Sequence, residues 1–275
     1  MNWSEDLTAL NVSSANNKPY RLQTEMLEKI WGSTRLSPWY PDPETKIGEV
    51  WFKAQLPLLI KFIFTTEKLS VQVHPNDHFA ARFENSRGKT EMWHILRADP
   101  GARIALGFRQ TITPERLRET ALSGEILDLL HWVDVHPGET YFVPAGTVHA
   151  IGAGIALCEI QQYSDVTYRL YDYGRPRELH LDKSIQVSDT AAHDGKPVAL
   201  PVDCAYFHTD LETLSSPIEH VPDRDRFQVL IVLEGSGQIA GQPYCIGEAW
   251  FVPAEIPKFN IEPDQPTKLL RTWVP

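Results

Sequence analysis

The sequence predicts a mainly β protein made of two similar β-barrel lobes, the first carrying a small helical insertion. Three observations carry that reading. The apolar runs are of strand length and are bounded by Gly, Pro and Asn, as strands of a β core require. One stretch recurs: GETYFVPAGTVHA from Gly138 returns as GEAWFVPAEIPKF from Gly247, 109 positions later, and such self-similarity marks a repeated unit. Convincing helical signals are confined to residues 113–130.

Taken in order, the residues up to about Lys18 are rich in Ser and Asn without periodicity and are expected to be loosely ordered. Residues 27–32 read as a short turn of helix stopped by glycine. A proline-rich loop at 37–43 leads into a strand start at 47–52. Residues 56–64 form a nearly continuous apolar run, broken by Lys61, that fits a buried strand. Two further strands are expected at 69–74 and 91–96, with a polar loop between them. Thr113 suits a helix N-cap, with Pro114 first in the helix and Glu115 in its first turn. Ser123-Gly124 interrupts that helix, and a second short one over 125–130 leads into a strand at 132–135. These helices are expected to cover one end of the β framework. A shift to Asp, Thr, Ala, His and Gly near residue 190 reads as a linker dividing the chain into 1–192 and 193–275.

The 275 residues carry a formal charge of −10. That balance argues against nucleic acid and anionic membranes as partners, and a phosphorylated ligand would need a local basic cluster. No apolar run is long enough to span a membrane and no apolar leader opens the chain. Cys158, Cys204 and Cys245 are too few and too scattered for a disulfide framework or a zinc motif. A cytoplasmic location is expected.

The chemistry centres on residues 138–172. Tyr141, Phe142 and Val143 suit a strand, Pro144-Ala145-Gly146 forces a corner, and His149 follows on the next strand with little freedom to move. The spacing G-x5-P-x-G-x2-H resembles the second signature of the cupin superfamily, with Ala153 where many members have Asn. The resemblance implies jelly-roll barrels. Gln72 and His74 lie two apart and share a strand face, as do Lys89, Glu91 and Trp93 on the next strand. Each segment alone also fits a polar face turned to solvent. Together, Gln72, His74, Glu91 and His149 make a ligand set of two imidazoles, one carboxylate and one amide oxygen. Such a set suits one Zn2+ ion with an open position, and manganese, iron or cobalt would also accept it. If the following segment stays extended, Asp165, Thr167 and Arg169 share a face; an Arg169 pair with Asp165 or Asp172 is the alternative. In the second copy Lys258 stands where His149 does and Glu255 where Gly146 does. An ammonium only donates, so it cannot replace imidazole as a ligand, and this lobe is read as framework without metal chemistry.

The blocks LSVQVHPND, GKTEMWHIL, YFVPAGTVHAIG and CEIQQYSDVTYRLYDYGR, in that order, closely resemble type I mannose-6-phosphate isomerases of the short bacterial form. EKIWGS, with Ser33 where a second Gly is common, and IGEVWF resemble weaker N-terminal blocks, so the likeness spans roughly residues 20–275. The resemblance implies zinc ligation by Gln72, His74, Glu91 and His149. It implies an active-site lysine at Lys89, an acidic–arginine pair at Asp165 and Arg169, and a pocket carboxylate at Glu159. The implied reaction is interconversion of mannose 6-phosphate and fructose 6-phosphate through a cis-enediol, with a hexose 6-phosphate as substrate. His74 and Asp165 are candidates for ring opening, and Glu159, Lys89 or a hydroxide on the metal for the proton-transfer base. Arg82, Arg87 and Arg175 are the arginines available for phosphate. The rival readings are a cupin oxygenase and a non-catalytic sugar-phosphate-binding cupin. His94, His131, His136 and His180 are read as structural, and the sequence does not specify an oligomeric state.

Overall fold

The computed structural model describes residues 17–275. The expectation for the opening segment therefore falls almost wholly outside the described residues. Four antiparallel sheets are arranged two to a lobe. In the first lobe a six-stranded sheet runs in the order Gln23–Ser33, Ile47–Lys53, Leu58–Phe64, Ile155–Gln162, Glu91–Ala98, Thr140–Val143. It faces a five-stranded sheet in the order Tyr168–Tyr171, Val71–Val73, His149–Ile151, Arg103–Phe108, Leu130–Asp134. Trp31, Ile63, Trp93, Ile95, Ile104, Tyr141 and Leu157 fill the space between them.

The second lobe repeats the plan. Its six-stranded sheet includes Gln228–Glu234, Ala249–Val252, Thr267–Trp273 and His208–Leu214, and it takes one edge strand, Tyr20–Arg21, from the start of the described chain. Leu230, Val232, Trp250, Ile261 and Leu269 form its interior. The two six-stranded sheets pack back to back through Phe62, Met92, Cys158, Val229, Phe251 and Leu270. That explains the nearly continuous apolar run in Leu58–Phe64: one face of the strand lines a barrel and the other meets the second lobe, so every residue is buried, Lys61 included.

The sequence repeat is a register repeat. Trp93 lies opposite Tyr141 and Glu91 opposite Val143 in the first lobe; Leu230 lies opposite Trp250 and Gln228 opposite Val252 in the second. The pairing is preserved although the offsets differ, 109 residues for the strand after the turn glycine and 137 for its partner.

Three expectations are corrected. Residues 27–32 are not helical but belong to the strand Gln23–Ser33, paired with Ile47–Lys53. Their burial alternates with period two, Leu27, Lys29 and Trp31 turning inward while Glu28 and Ile30 face out. Gly32 serves close packing there, since a Cβ would lie 2.6 Å from the Gly48 nitrogen. The loop after His74 contains the helix Asp77–Phe83, whose N-cap Asn76 accepts a bond from the Phe79 N–H at 3.0 Å. The helices Pro114–Ser123 and Ile126–Leu129 form where expected, with Thr113 as N-cap and Gly124 left-handed at φ +86°. They cover not an end of the barrel but the outer face of the five-stranded sheet, joined by an unforeseen helix, Leu181–Val187. Val71, Val73, Ala105, Leu117, Ala121 and Leu170 share that outer cluster. Covering Val71 and Val73 outside leaves Gln72 and His74 turned into the barrel. Among the described residues no helix is long and apolar enough to cross a membrane.

Candidate metal centre

His149 and Gln72 lie directly opposite each other on neighbouring strands, and His74 follows one residue after the strand Val71–Val73. Glu91 begins a strand of the facing sheet. The corner at Pro144-Ala145-Gly146 ties these parts together: Gly146, left-handed at φ +93°, donates its N–H to the His74 carbonyl at 2.9 Å. Ligand-capable atoms of His74, Glu91 and His149 then fall within 4.8 Å of one another, all buried, the only such group among the described residues.

The imidazole tautomers fit a cation. His74 Nδ1–H donates to the Val166 carbonyl at 2.9 Å and His149 Nδ1–H to the Thr147 carbonyl at 2.8 Å. Each ring therefore turns an Nε2 lone pair toward Glu91, at 3.7 Å from Oε2 and 3.5 Å from Oε1 respectively. This is the arrangement in which an outer hydrogen bond fixes a ligating histidine. Burial holds His74 well below the usual histidine range, and the Lys89 ammonium adds to the effect. Burial likewise takes His149 down to about 4. Both rings stay neutral, as ligation requires. Glu91 Oε2 is buried without a hydrogen-bond partner among the described residues, although Lys89 Nζ lies 3.2 Å away. Gln72 turns Nε2 toward His149 at 3.2 Å while its Oε1 accepts from Ser70; a half-turn of the amide presents the oxygen to the same space. The donor set thus fits a divalent cation.

The ligands open onto a cavity of about 270 Å3 whose wall includes Gln72, Lys89, Glu91, Glu159, Asp165, Thr167 and Arg169. Every candidate metal ligand and catalytic residue outside the two histidines therefore lines one space, and the histidines sit behind it. Lys89 Nζ is 3.0 Å from His74 Nε2 and 3.8 Å from Glu159 Oε1. Asp165 is exposed at the rim, and no ion pair joins it to Arg169 among the described residues. Asp172 does not pair with Arg169 either; Arg177 holds it at 2.6 and 2.7 Å. The Arg169 Nε is buried without a hydrogen-bond partner among the described residues.

Sequence reasoning missed three cations of this cavity: Lys61, Lys29 and Arg177. Lys61 lies opposite Glu159 across the strands, with Nζ 3.5 Å from Oε2. The signal was available, because a lysine inside a wholly buried strand needs a partner. Burial pushes the Glu159 carboxyl upward and the Glu91 anion adds to it, outweighing the opposite pull of Lys61 and Lys89. The three arginines considered for phosphate lie elsewhere. Arg82 stacks over Phe83, Arg87 lines a separate cavity beside Asp77 and Tyr206, and Arg175 binds the Lys68 carbonyl. Basic residues were plentiful in the sequence, and only the loop path decides which turn inward. His94 bonds Thr140 and His131 bonds the His193 carbonyl, both away from the centre.

Two back-to-back barrels, one gathering two neutral imidazoles and a carboxylate at a polar cavity, define a cupin-type protein with a candidate divalent-metal centre. No family model matches the chain. It is 35% identical to mannose-6-phosphate isomerase ManA of Bacillus subtilis, over 86% of this chain and 93% of that protein. It is also 35% identical to mannose-6-phosphate isomerase of Streptococcus mutans, over 62% of this chain and 67% of that one. Among solved structures, mannose 6-phosphate isomerase from Bacillus subtilis superposes with a TM-score of 0.84 at 28% identity, covering 93% of this chain and 99% of its own. A variant of phosphomannose isomerase from Salmonella typhimurium shares the fold, with a TM-score of 0.75 at 16% identity over 94% of this chain and 99% of its own. The chain belongs to the mannose-6-phosphate isomerase family.

Proposed function

We propose that this protein is a metal-dependent aldose–ketose isomerase interconverting mannose 6-phosphate and fructose 6-phosphate. The observation that carries the reading is the convergence of His74, Glu91 and His149 at one wall of a cavity that also holds Lys89, Glu159 and Arg169. Gln72, His74, Glu91 and His149 would hold one zinc ion, which when bound supplies a Lewis acid for the sugar oxygens.

The remaining parts belong to this chain's own side chains. Moving a carbonyl between C1 and C2 needs a base that takes a proton from one carbon and returns it to the other. Glu159 fits that role, because Oε2 is held by Lys61 while Oε1 is buried without a hydrogen-bond partner among the described residues. Its raised pKa makes it a stronger base than a solvated carboxylate. Lys89 and Arg169 would stabilise the negative charge that develops on the enediol oxygens. Ring opening falls to Asp165 at the rim rather than His74, whose Nδ1–H is committed to the Val166 carbonyl. Lys29, Lys61, Lys89, Arg169 and Arg177 line the cavity against Glu49, Glu91, Glu159 and Asp165. That local cationic surplus suits an anionic substrate on an otherwise acidic chain, and Lys29 and Arg177 are the residues assigned to its phosphate.

Catalysis is assigned to residues 1–192, with 193–275 as supporting framework. The free thiols of Cys158, Cys204 and Cys245 are in keeping with a reducing cytoplasm. The test is turnover of both hexose phosphates by the purified protein before and after chelation, with metal content measured in parallel. Turnover that disappears with the ion and returns with zinc is expected. Binding without turnover, or consumption of oxygen, would overturn the proposal.

A further inference from the structure

Arg169 sits on Tyr168–Tyr171, the edge strand of the five-stranded sheet, opposite Gln72 of the inner neighbour. An antiparallel residue either exchanges both backbone bonds with the one opposite or turns both groups the other way. Arg169 turns them outward, and one residue takes both. Its N–H donates to His180 Nδ1 at 3.2 Å, and its carbonyl accepts from the His180 N–H at 2.8 Å. His180 occupies the N-cap position of Leu181–Val187 yet makes no side-chain cap bond to that helix. Ser, Thr, Asp or Asn at that position would bond to the helix's own N–H groups. Here the side chain is committed across a loop to the backbone of another residue.

The helix that carries His180 is itself anchored. Lys183 Nζ and Tyr168 Oη both donate to Glu84 Oε1, at 2.6 and 2.7 Å, and Arg118 pairs with Asp182.

We propose that His180 is a positioning residue for Arg169: its ring and backbone clamp the edge-strand peptide from outside and so aim the guanidinium into the cavity. The inference rests on the reading of Arg169 as a group that meets the substrate. The clamp requires Nδ1 as an acceptor, with the ring proton on Nε2, which lies 4.0 Å from Glu178. The charged groups around the ring are Glu178, Arg169, Lys183 and Glu84; burial, Arg169 and Lys183 favour the neutral ring, while Glu178 and Glu84 oppose them.

Steady-state kinetics of the full metal-loaded chain test the clamp with three substitutions at His180. In His180→Asn the amide oxygen takes nearly the place of Nδ1; in His180→Gln it reaches only the place of Nε2; His180→Ala has no acceptor. A catalytic group displaced by about an ångström can cost up to ~100-fold in rate, so kcat of His180→Ala is expected to fall ~10-fold or more with KM within about 2-fold. The Asn variant should recover most of that loss and the Gln variant little of it. Rates are expressed per bound metal and per folded chain, so a purely structural defect would cancel. Full kcat in His180→Ala, equal rescue by Asn and Gln, or a loss that vanishes on normalisation would overturn the clamp. Arg169→Ala separates the two levels. If it leaves turnover intact, the reading of Arg169 itself fails; if it abolishes turnover while His180→Ala does not, only the clamp fails.

Discussion

A carboxylate buried without a cation beside it costs several kcal/mol, and breaking a buried pair leaves that cost uncovered. Glu159 is 2% exposed, with Lys61 at 3.5 Å and Lys89 at 3.8 Å. Lys61 faces the converse problem: burial pulls its pKa down, but Glu159, Glu49 and Glu91 outweigh burial and keep it charged. In Lys61→Met the carboxyl has an escape that a permanently charged group lacks, since its pKa is already raised. It takes up a proton instead of remaining an uncompensated anion. The variant is therefore expected to fold, with a loss of stability of about 1–3 kcal/mol rather than the ~3–5 kcal/mol typical of a broken buried pair. Turnover should fall by at least ~10-fold because the base is neutralised, while metal content stays unchanged. Urea unfolding, kcat and metal analysis on one preparation check all three. Undiminished turnover would remove Glu159 from the role of base.

At the scale of elements, the strand–corner–strand unit occurs in both lobes and records what each lobe kept. Gly146 is left-handed at φ +93°, and its counterpart Glu255 holds the same region at φ +61°. A side chain in that region costs roughly 1–2 kcal/mol. Gly146→Ala should therefore lose about that much stability, and it should weaken metal binding, because the corner's N–H is bonded to the His74 carbonyl. Glu255→Gly should instead gain up to ~1 kcal/mol with no change in turnover. Thermal unfolding and metal titration of the two variants test the pair. The corner was legible in the letters, because Pro and Gly at fixed positions dictate backbone shape. So was the burial of Leu58–Phe64, from an apolar run interrupted only by Lys61. The strand Gln23–Ser33 was not: its inward face carries Lys29 above a polar cavity, so the alternation that marks a half-buried strand is blurred. That Gln72 and His74 turn to the same side was legible, because residues two apart on a strand share a face. Arg177 was not, since only the path of the loop after Tyr171 turns it inward while Arg175 turns away.

For the whole molecule, the second barrel repeats the framework of the first with other side chains at the positions of the candidate ligands. Its register position for Glu91 is held by Gln228, which accepts from His220 Nε2 at 2.9 Å, and the sequence counterpart of His149 is Lys258, paired with Glu219. The cross-strand pair Lys61–Glu159 has a counterpart of reversed sign, Asp210–Arg271, at 2.6 Å. Polar groups that converge on a cation site in one lobe satisfy one another in the other. The two lobes share a continuous apolar cluster across their six-stranded sheets and are expected to unfold together. His94 stands at that seam, 4% exposed, bonded to Thr140 at 2.9 Å, with Lys268 and Glu234 of the second lobe as its charged neighbours. Burial, helped by Lys268 and opposed by Glu234, lowers its pKa from 6.5 to about 4. Above pH 6.5 the ring is neutral in both folded and unfolded chains and contributes no pH dependence. Between 6.5 and 4 the unfolded chain takes up a proton that the folded one refuses, so stability falls as pH falls; below 4 both are protonated and the effect levels off. From about pH 7 to pH 5 this one group should remove ~2 kcal/mol. His94→Gln, which keeps a polar partner for Thr140 and does not titrate, should lose that much less stability over the same interval. Urea midpoints of wild type and variant at the two pH values measure the difference, and the acid sensitivity of the metal ligands cancels between them. Equal losses in the two proteins would mean that His94 is not held neutral at the seam.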